Sequence, residues 1–139
     1  MGTRRTLLRN NCAGTVTDAT TESGLATPGT ASQAGAWGDI DNDGWLDLFV
    51  GNEDARAQLF LNDGHGHFTD IAKSAGVDRQ TFATSPTAGD FANDGWTDFY
   101  VSNNDSLTPP LHTHHHRPLT ARDAAHGAPG ARRRRRAHQ

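Results

Sequence analysis

The stretch Asp39-Ile40-Asp41-Asn42-Asp43-Gly44-Trp45-Leu46-Asp47 puts four carboxylates at positions 1, 3, 5 and 9 of nine residues, with glycine at position 6. Hard divalent cations take oxygen ligands, and Ca²⁺ accepts six to eight of them in a flexible cage. One short loop can wrap an ion if alternate side chains turn inward and the chain bends sharply midway. Asp39, Asp41 and Asp43 supply the inward oxygens, and Gly44 permits the bend because it has no Cβ to oppose a positive φ. The main-chain carbonyl of Trp45 and the carboxylate of Asp47 would complete the cage. An acidic surface turn uses the same residue types, but five matched positions in nine favour a metal loop.

The residues around the loop narrow its type. An EF-hand needs a bidentate Glu at position 12 and a helix on each side. Position 12 here is Val50, and Trp45-Leu46-Asp47-Leu48-Phe49-Val50-Gly51 reads as a short strand ending at a turn. Upstream, Gly35-Ala36-Trp37-Gly38 is poor helix material. The loop is therefore expected to join two strands, which also disfavours a dockerin-like module.

The loop recurs 51 residues later as Asp90-Phe91-Ala92-Asn93-Asp94-Gly95-Trp96-Thr97-Asp98, and the strand behind it recurs as Phe99-Tyr100-Val101-Ser102-Asn103. A second unit, Phe60 to Asp70, matches Leu8 to Asp18 at an offset of 52, and Ala75-Gly76-Val77 matches Ser23-Gly24-Leu25. A period near 50 residues signals a propeller or solenoid array. Within the whole repeat, four strands are expected at about 33–38, 46–51, 57–62 and 67–71, with a Gly-rich hairpin turn at Asn62–Gly66 and a helical turn at Ile71–Ala75. Four-stranded units at this period are propeller blades. The expected fold is all-β, a partial β-propeller of about two four-stranded blades. Residues 7–28 would end one blade, 30–78 would make a full blade, and 83–105 would start the next.

These motifs resemble the FG-GAP, or VCBS, repeat, in the version carried by secreted proteins with the ASPIC/UnbV module, the cartilage acidic protein type. Gly35 to Val50 and Leu59 to Asp70 carry the resemblance, which extends over residues 7–105. It implies a Ca²⁺-stiffened propeller of the integrin α-subunit type, typically of seven blades, extracellular and used for adhesion or ligand binding. It implies metal ligands at Asp39, Asp41, Asp43, Trp45 (main chain) and Asp47, and in the next repeat at Asp90, Asp94, Trp96 (main chain) and Asp98. The second loop departs from the pattern at Ala92, which has no oxygen to donate, so that site is expected to be weaker. Cys12-Ala13 stands where the family has a Gly-Asp pair.

Composition changes at Ser106. Residues 1–105 hold 6 Lys/Arg and 15 Asp/Glu, a charge of −9, whereas residues 106–139 hold 7 and 1, a charge of +6. The tail has His112, His114, His115 and His116 near its start and the run Arg132–Arg136 near its end. It lacks the apolar content that offsets ordering entropy and is expected to be disordered. Transition-metal binding by the histidines and nucleic-acid or anionic-surface binding by the arginines are the weaker readings. An out-of-frame read of a GC-rich gene would give the same Ala, Arg, Gly, Pro and His mixture and is favoured for the tail. The chain is then expected to be a fragment, or a truncated and frameshifted product, of a longer secreted protein.

Chemistry of other kinds finds little support. There is no Gly-x-Ser-x-Gly, P-loop or His-Glu-x-x-His motif. A general acid needs a raised pKa, whereas carboxylates on Ca²⁺ are held ionised, so no catalysis is expected of these repeats themselves. An accessory binding role in a larger secreted enzyme is the alternative. The expected partner is a protein or glycan ligand, and the unpaired edges of an incomplete array favour self-association. His65 and His67 read as solvated turn residues, and Trp37, Trp45 and Trp96 as packing between blades. Cys12 is the single cysteine, which excludes an internal disulfide. No signal-type apolar segment follows Met1 and no apolar run is long enough for a membrane helix.

Overall fold

The structure, a computed structural model, describes residues 5–26, 31–53, 55–81, 83–103 and 111–112. The chain enters through a short hairpin of β1 (Leu8–Asn10) and β2 (Val16–Asp18). The first long strands are β3 (Ala31–Gly38) and β4 (Asp47–Glu53), followed by the two-residue β5 (Ala55–Arg56). A second hairpin is formed by β6 (Gln58–Asn62) and β7 (Phe68–Asp70), and one helical turn, α1 (Ala72–Ala75), comes next. After β8 (Gln80–Thr81) the second long pair is β9 (Ala83–Gly89) and β10 (Asp98–Asn103), edged by β11 (Leu111–His112). The fold is all-β apart from α1, a partial propeller-like array.

One sheet is complete, with the antiparallel order β3-β4-β6-β7. Its strands lie within two residues of the sequence expectation at each end. On either side of it the neighbours are parts of the same unit. The β1–β2 hairpin pairs Leu8 with Asp18, Arg9 with Thr17 and Asn10 with Val16. The β6–β7 hairpin pairs Phe60 with Asp70, Leu61 with Thr69 and Asn62 with Phe68, the same register 52 residues on. Likewise β3–β4 pairs Gly38 with Asp47 through Ser32 with Asn52, and β9–β10 pairs Gly89 with Asp98 through Ala83 with Asn103. A register break recurs at the matching place in both pairs. The period read from the sequence is thus a period in hydrogen bonding.

β4 is buried from Asp47 to Asn52 because both of its faces are covered, which is why its residues are apolar on successive rather than alternate positions. On one face Leu48, Val50 and Phe60 pack with Leu25, Leu7 and Phe68. On the other, Phe49, Leu59 and Leu61 pack with Phe99 and Val101 of β10 and with Ile71, Ala72 and Val77. Phe99 and Val101 stand in the repeat where Leu48 and Val50 stand in the complete sheet. The second face of one unit therefore packs on the first face of the next. Gly38 lies at this seam, where an added Cβ would come within 2.9 Å of Thr97 Cγ2 and 3.0 Å of Ala88 Cβ.

The α1 turn returns the chain to the core. Gly76, at φ 74°, ends it, and Gly76 N–H and Val77 N–H donate to the carbonyls of Lys73 and Ala72 in a Schellman pattern. The reversal drops Val77 into the seam. The same device precedes the complete sheet, where Ser23 N–H donates to Ala19 O, Gly24 N–H to Thr21 O, and Leu25 is buried.

Two features were not expected. Ala55–Arg56 pair with Gln80–Thr81 as a small side sheet. Leu111–His112 pair antiparallel with Val101 and Tyr100, so a short strand does follow Asp105. The rest of the segment 106–139, with its expected disorder, His114–His116 and Arg132–Arg136, lies outside the described residues.

Candidate metal centre

The loop between β3 and β4 is built by its own carboxylates. Asp39 Oδ1 accepts the N–H of Asp43 at 3.2 Å and Oδ2 that of Gly44 at 3.0 Å, while Asp43 Oδ1 accepts the Trp45 N–H at 2.8 Å. Two residues take positive φ to make the coil, Asn42 at 55° and Gly44 at 92°. Asparagine tolerates that region and glycine pays nothing for it.

This winding brings Asp39, Asp41 and Asp43 together, with one carboxylate oxygen from each within 4.8 Å of the others. Asp41 Oδ1 is buried and has no hydrogen-bond partner among the described residues. Burial and then the nearby Asp43 carboxylate raise the Asp41 pKa. Three crowded carboxylates, one of them with an unsatisfied oxygen, fit a divalent cation, which would relieve both the repulsion and the unmet acceptor.

Asp47 stands apart from the triad and has a second task. It is fully buried at the start of β4, with Oδ2 accepting the Ile40 N–H at 2.9 Å and Oδ1 the Asn62 N–H at 2.8 Å. It thereby ties the loop to the β6–β7 hairpin. Burial pushes its carboxyl up to about 6, against the two amide bonds, which favour the anion. A cation held next to it would draw it back to the ionised form. Asn62 completes the brace through Nδ2, which donates to Leu46 O at 3.0 Å. Sequence reasoning placed Asn62 where a strand meets the hairpin turn and gave it no bracing role, although its recurrence as Asn10 was a usable signal.

The loop between β9 and β10 repeats the same bonds. Asp90 accepts the N–H groups of Asp94 at 3.0 Å and Gly95 at 2.8 Å, Asp94 accepts that of Trp96 at 3.0 Å, and Asp98 those of Phe91 and Ala92 at 3.2 Å. Asn93 and Gly95 take φ of 53° and 86°. Ala92 supplies no carboxylate, and among the described residues only the first loop forms an acidic triad. The second backbone is preformed and short of one ligand. Ala92→Asp is therefore expected to tighten divalent-cation binding at this loop by about tenfold or more, the worth of one charged contact. Titration of the variant against the wild type measures this, and an unchanged second site would mean that the alignment of ligands is wrong.

The two loops touch, since Asn42 Nδ2 donates to Gly95 O at 3.1 Å. Two of the tryptophans expected to pack between blades make contacts inside the complete sheet. Trp37 meets Phe68 edge-on with ring centroids 6.0 Å apart, and the Trp45 indole lies over the turn at Gly64, so both contacts stay within one sheet. Trp45, Leu46 and Phe91 remain exposed on the loops. His65 and His67 are exposed in the hairpin turn, where their N–H groups donate to Asp63 Oδ1.

No curated protein matches the chain. Residues 39–101, from the first aspartate of the triad to the buried Val101 of β10, match the family model of the FG-GAP-like repeat, so that stretch is similar to a repeat of that kind.

Proposed function

We propose that the chain is a calcium-binding module of an extracellular β-propeller that serves adhesion or ligand binding and carries out no catalysis of its own. The observation that supports this reading is the buried, unpartnered Asp41 Oδ1 set among the Asp39 and Asp43 carboxylates. The carboxylates of Asp39, Asp41, Asp43 and Asp47 and the Trp45 main-chain carbonyl would hold the ion. An all-oxygen donor set suits Ca²⁺ or Mg²⁺ rather than the thiophilic and imidazole-seeking metals. The ion would act as a cross-link, holding four like charges in one loop. Sites of modest affinity are filled by the millimolar calcium outside cells, which supports an extracellular setting. Among the described residues no helix is long and apolar enough to cross a membrane. Exposed Trp45, Leu46 and Phe91 next to the loops suit a protein or glycan ligand.

Calorimetric titration of the 139-residue chain with Ca²⁺ and, separately, with Mg²⁺ tests the reading. Calcium is expected to bind at one stronger and one weaker site, and Mg²⁺ at least about tenfold more weakly, because it demands tight octahedral geometry and keeps its waters. Equal affinity for the two ions, or none for either, would remove the assignment.

A further inference from the structure

The two flanks of the complete sheet are halves of one unit. On one side stands an outer hairpin, β1–β2, in the register of β6–β7; on the other stands an inner pair, β9–β10, in the register of β3–β4. Beside the hairpin lies a cleft of about 380 Å³ whose walls include Leu7, Leu25, Gly35, Trp37, Leu48 and Val50. It opens on the first face of the complete sheet. At the other seam that face is covered, since Phe99 and Val101 are pressed against Phe49, with the Phe49 and Phe99 rings 5.5 Å apart. Leu8 and Val16 are 58% and 57% exposed, whereas their counterparts Phe60 and Phe68 are buried at 1% and half-buried.

We propose that a second copy of the chain fills this seat, head to tail, so that β9–β10 of one copy and β1–β2 of the next form a single four-stranded sheet. The internal seam supplies the template. β4 pairs Leu48 with Phe60, Phe49 with Leu59 and Val50 with Gln58. Shifted by the observed offsets, β10 of one copy pairs Phe99 with Leu8, Tyr100 with Leu7 and Val101 with Thr6 of the next. The backbone polarity of β1 agrees. Ala19 N–H donates to Leu7 O and Asn11 N–H to Thr15 O, so alternation directs the groups of Leu8 and Asn10 to the outer edge. Ile71 N–H bonds Leu59 O in the same way beside the real β4–β6 pairing. Tyr100, in the place of Phe49, then enters the cleft against Leu48. In the single chain the short β11 lies on that edge of β10, and the incoming β1 displaces it.

The contact is heterologous, and such contacts close into rings when the rotation allows. Among the described residues each copy supplies one whole four-stranded sheet and two halves of shared ones, so the four to eight blades of propellers correspond to about two to four copies.

The test uses the full chain carrying Cys12→Ser, from which two single variants are made, Tyr100→Cys and Leu7→Cys. The paired Cα atoms of neighbouring strands lie within the span that a disulfide bridges. Mild oxidation is expected to link the two variants when they are mixed and to leave each one alone unlinked, while sedimentation of the wild-type chain shows a discrete species of two to four copies. Leu8→Pro removes an outward-facing donor, which an edge strand tolerates. It is expected to weaken association by about tenfold or more while keeping the β-rich far-ultraviolet spectrum. Cross-linking of Tyr100→Cys with itself would mean edge-to-edge pairing of two β10 strands and would overturn the proposal. So would a wild-type chain that stays monomeric at every concentration.

Discussion

Phe49→Ala is expected to lower the stability of the chain by about 3–5 kcal/mol, the usual cost of deleting a fully buried phenylalanine ring. Phe49 has no exposed surface and sits on β4, the central strand, facing the seam with β10. Its ring meets Phe99 at 5.5 Å. The loss therefore acts on two units together, removing packing from the complete sheet and from the contact that holds its neighbour. Such a cost is a large part of the total stability of a small domain. Urea denaturation followed by far-ultraviolet circular dichroism, with Ca²⁺ present, measures it. If the alanine variant does not fold, Phe49→Leu supplies the graded value, at about 1.5 kcal/mol or less. A cost for Phe49→Ala under about 1 kcal/mol, the ordinary value for an arbitrary substitution, would mean that the seam does not hold the array together.

Asp47→Ala comes next, at about 2–6 kcal/mol. The substitution strips acceptors from the Ile40 and Asn62 N–H groups at a fully buried position, and each orphaned donor costs about 1–3 kcal/mol. Asp47→Asn keeps one carbonyl oxygen and should fall between the alanine variant and the wild type. Measuring all three proteins in EGTA isolates the bracing role from any role in holding the ion. If the three melt together in EGTA and differ only with Ca²⁺, Asp47 is a ligand and not a brace.

The architecture was readable from the sequence because two kinds of signal recur at fixed spacing. Asp39–Asp47 and Asp90–Asp98 mark where one strand ends and the next begins, and Asn62–Gly66 marks the outer turn, so every strand of the complete sheet is bounded by a loop of recognisable chemistry. Leu48-Phe49-Val50 read only as part of a strand, and the burial of β4 on both faces came from the structure. Less visible was anything fixed by contacts remote in the chain. β5 and β8 are two residues each and pair across more than twenty positions, with no periodicity to announce them. The double duty of Asp47 was hidden for a similar reason. Its place in the loop motif suggested a ligand, while its bond to Asn62 depends on how the hairpin folds back over the loop. The partners of Trp37 and Trp45 within their own sheet were hidden for the same reason, because each depends on how the β6–β7 hairpin lies against β3 and the loop.

Recurrence of the register, down to the same break in β3–β4 and β9–β10, has a consequence for how such a chain lengthens. Because the second face of any unit already fits the first face of the next, tandem duplication of one repeat adds a blade without inventing an interface. Segments that shift by other amounts have one place to go. The extra residue that separates the 52-residue offset from the 51-residue one falls between Leu25 and Ser32, in the connection between units. Growth of the array is thus quantised by the seam, and drift in length is confined to the links.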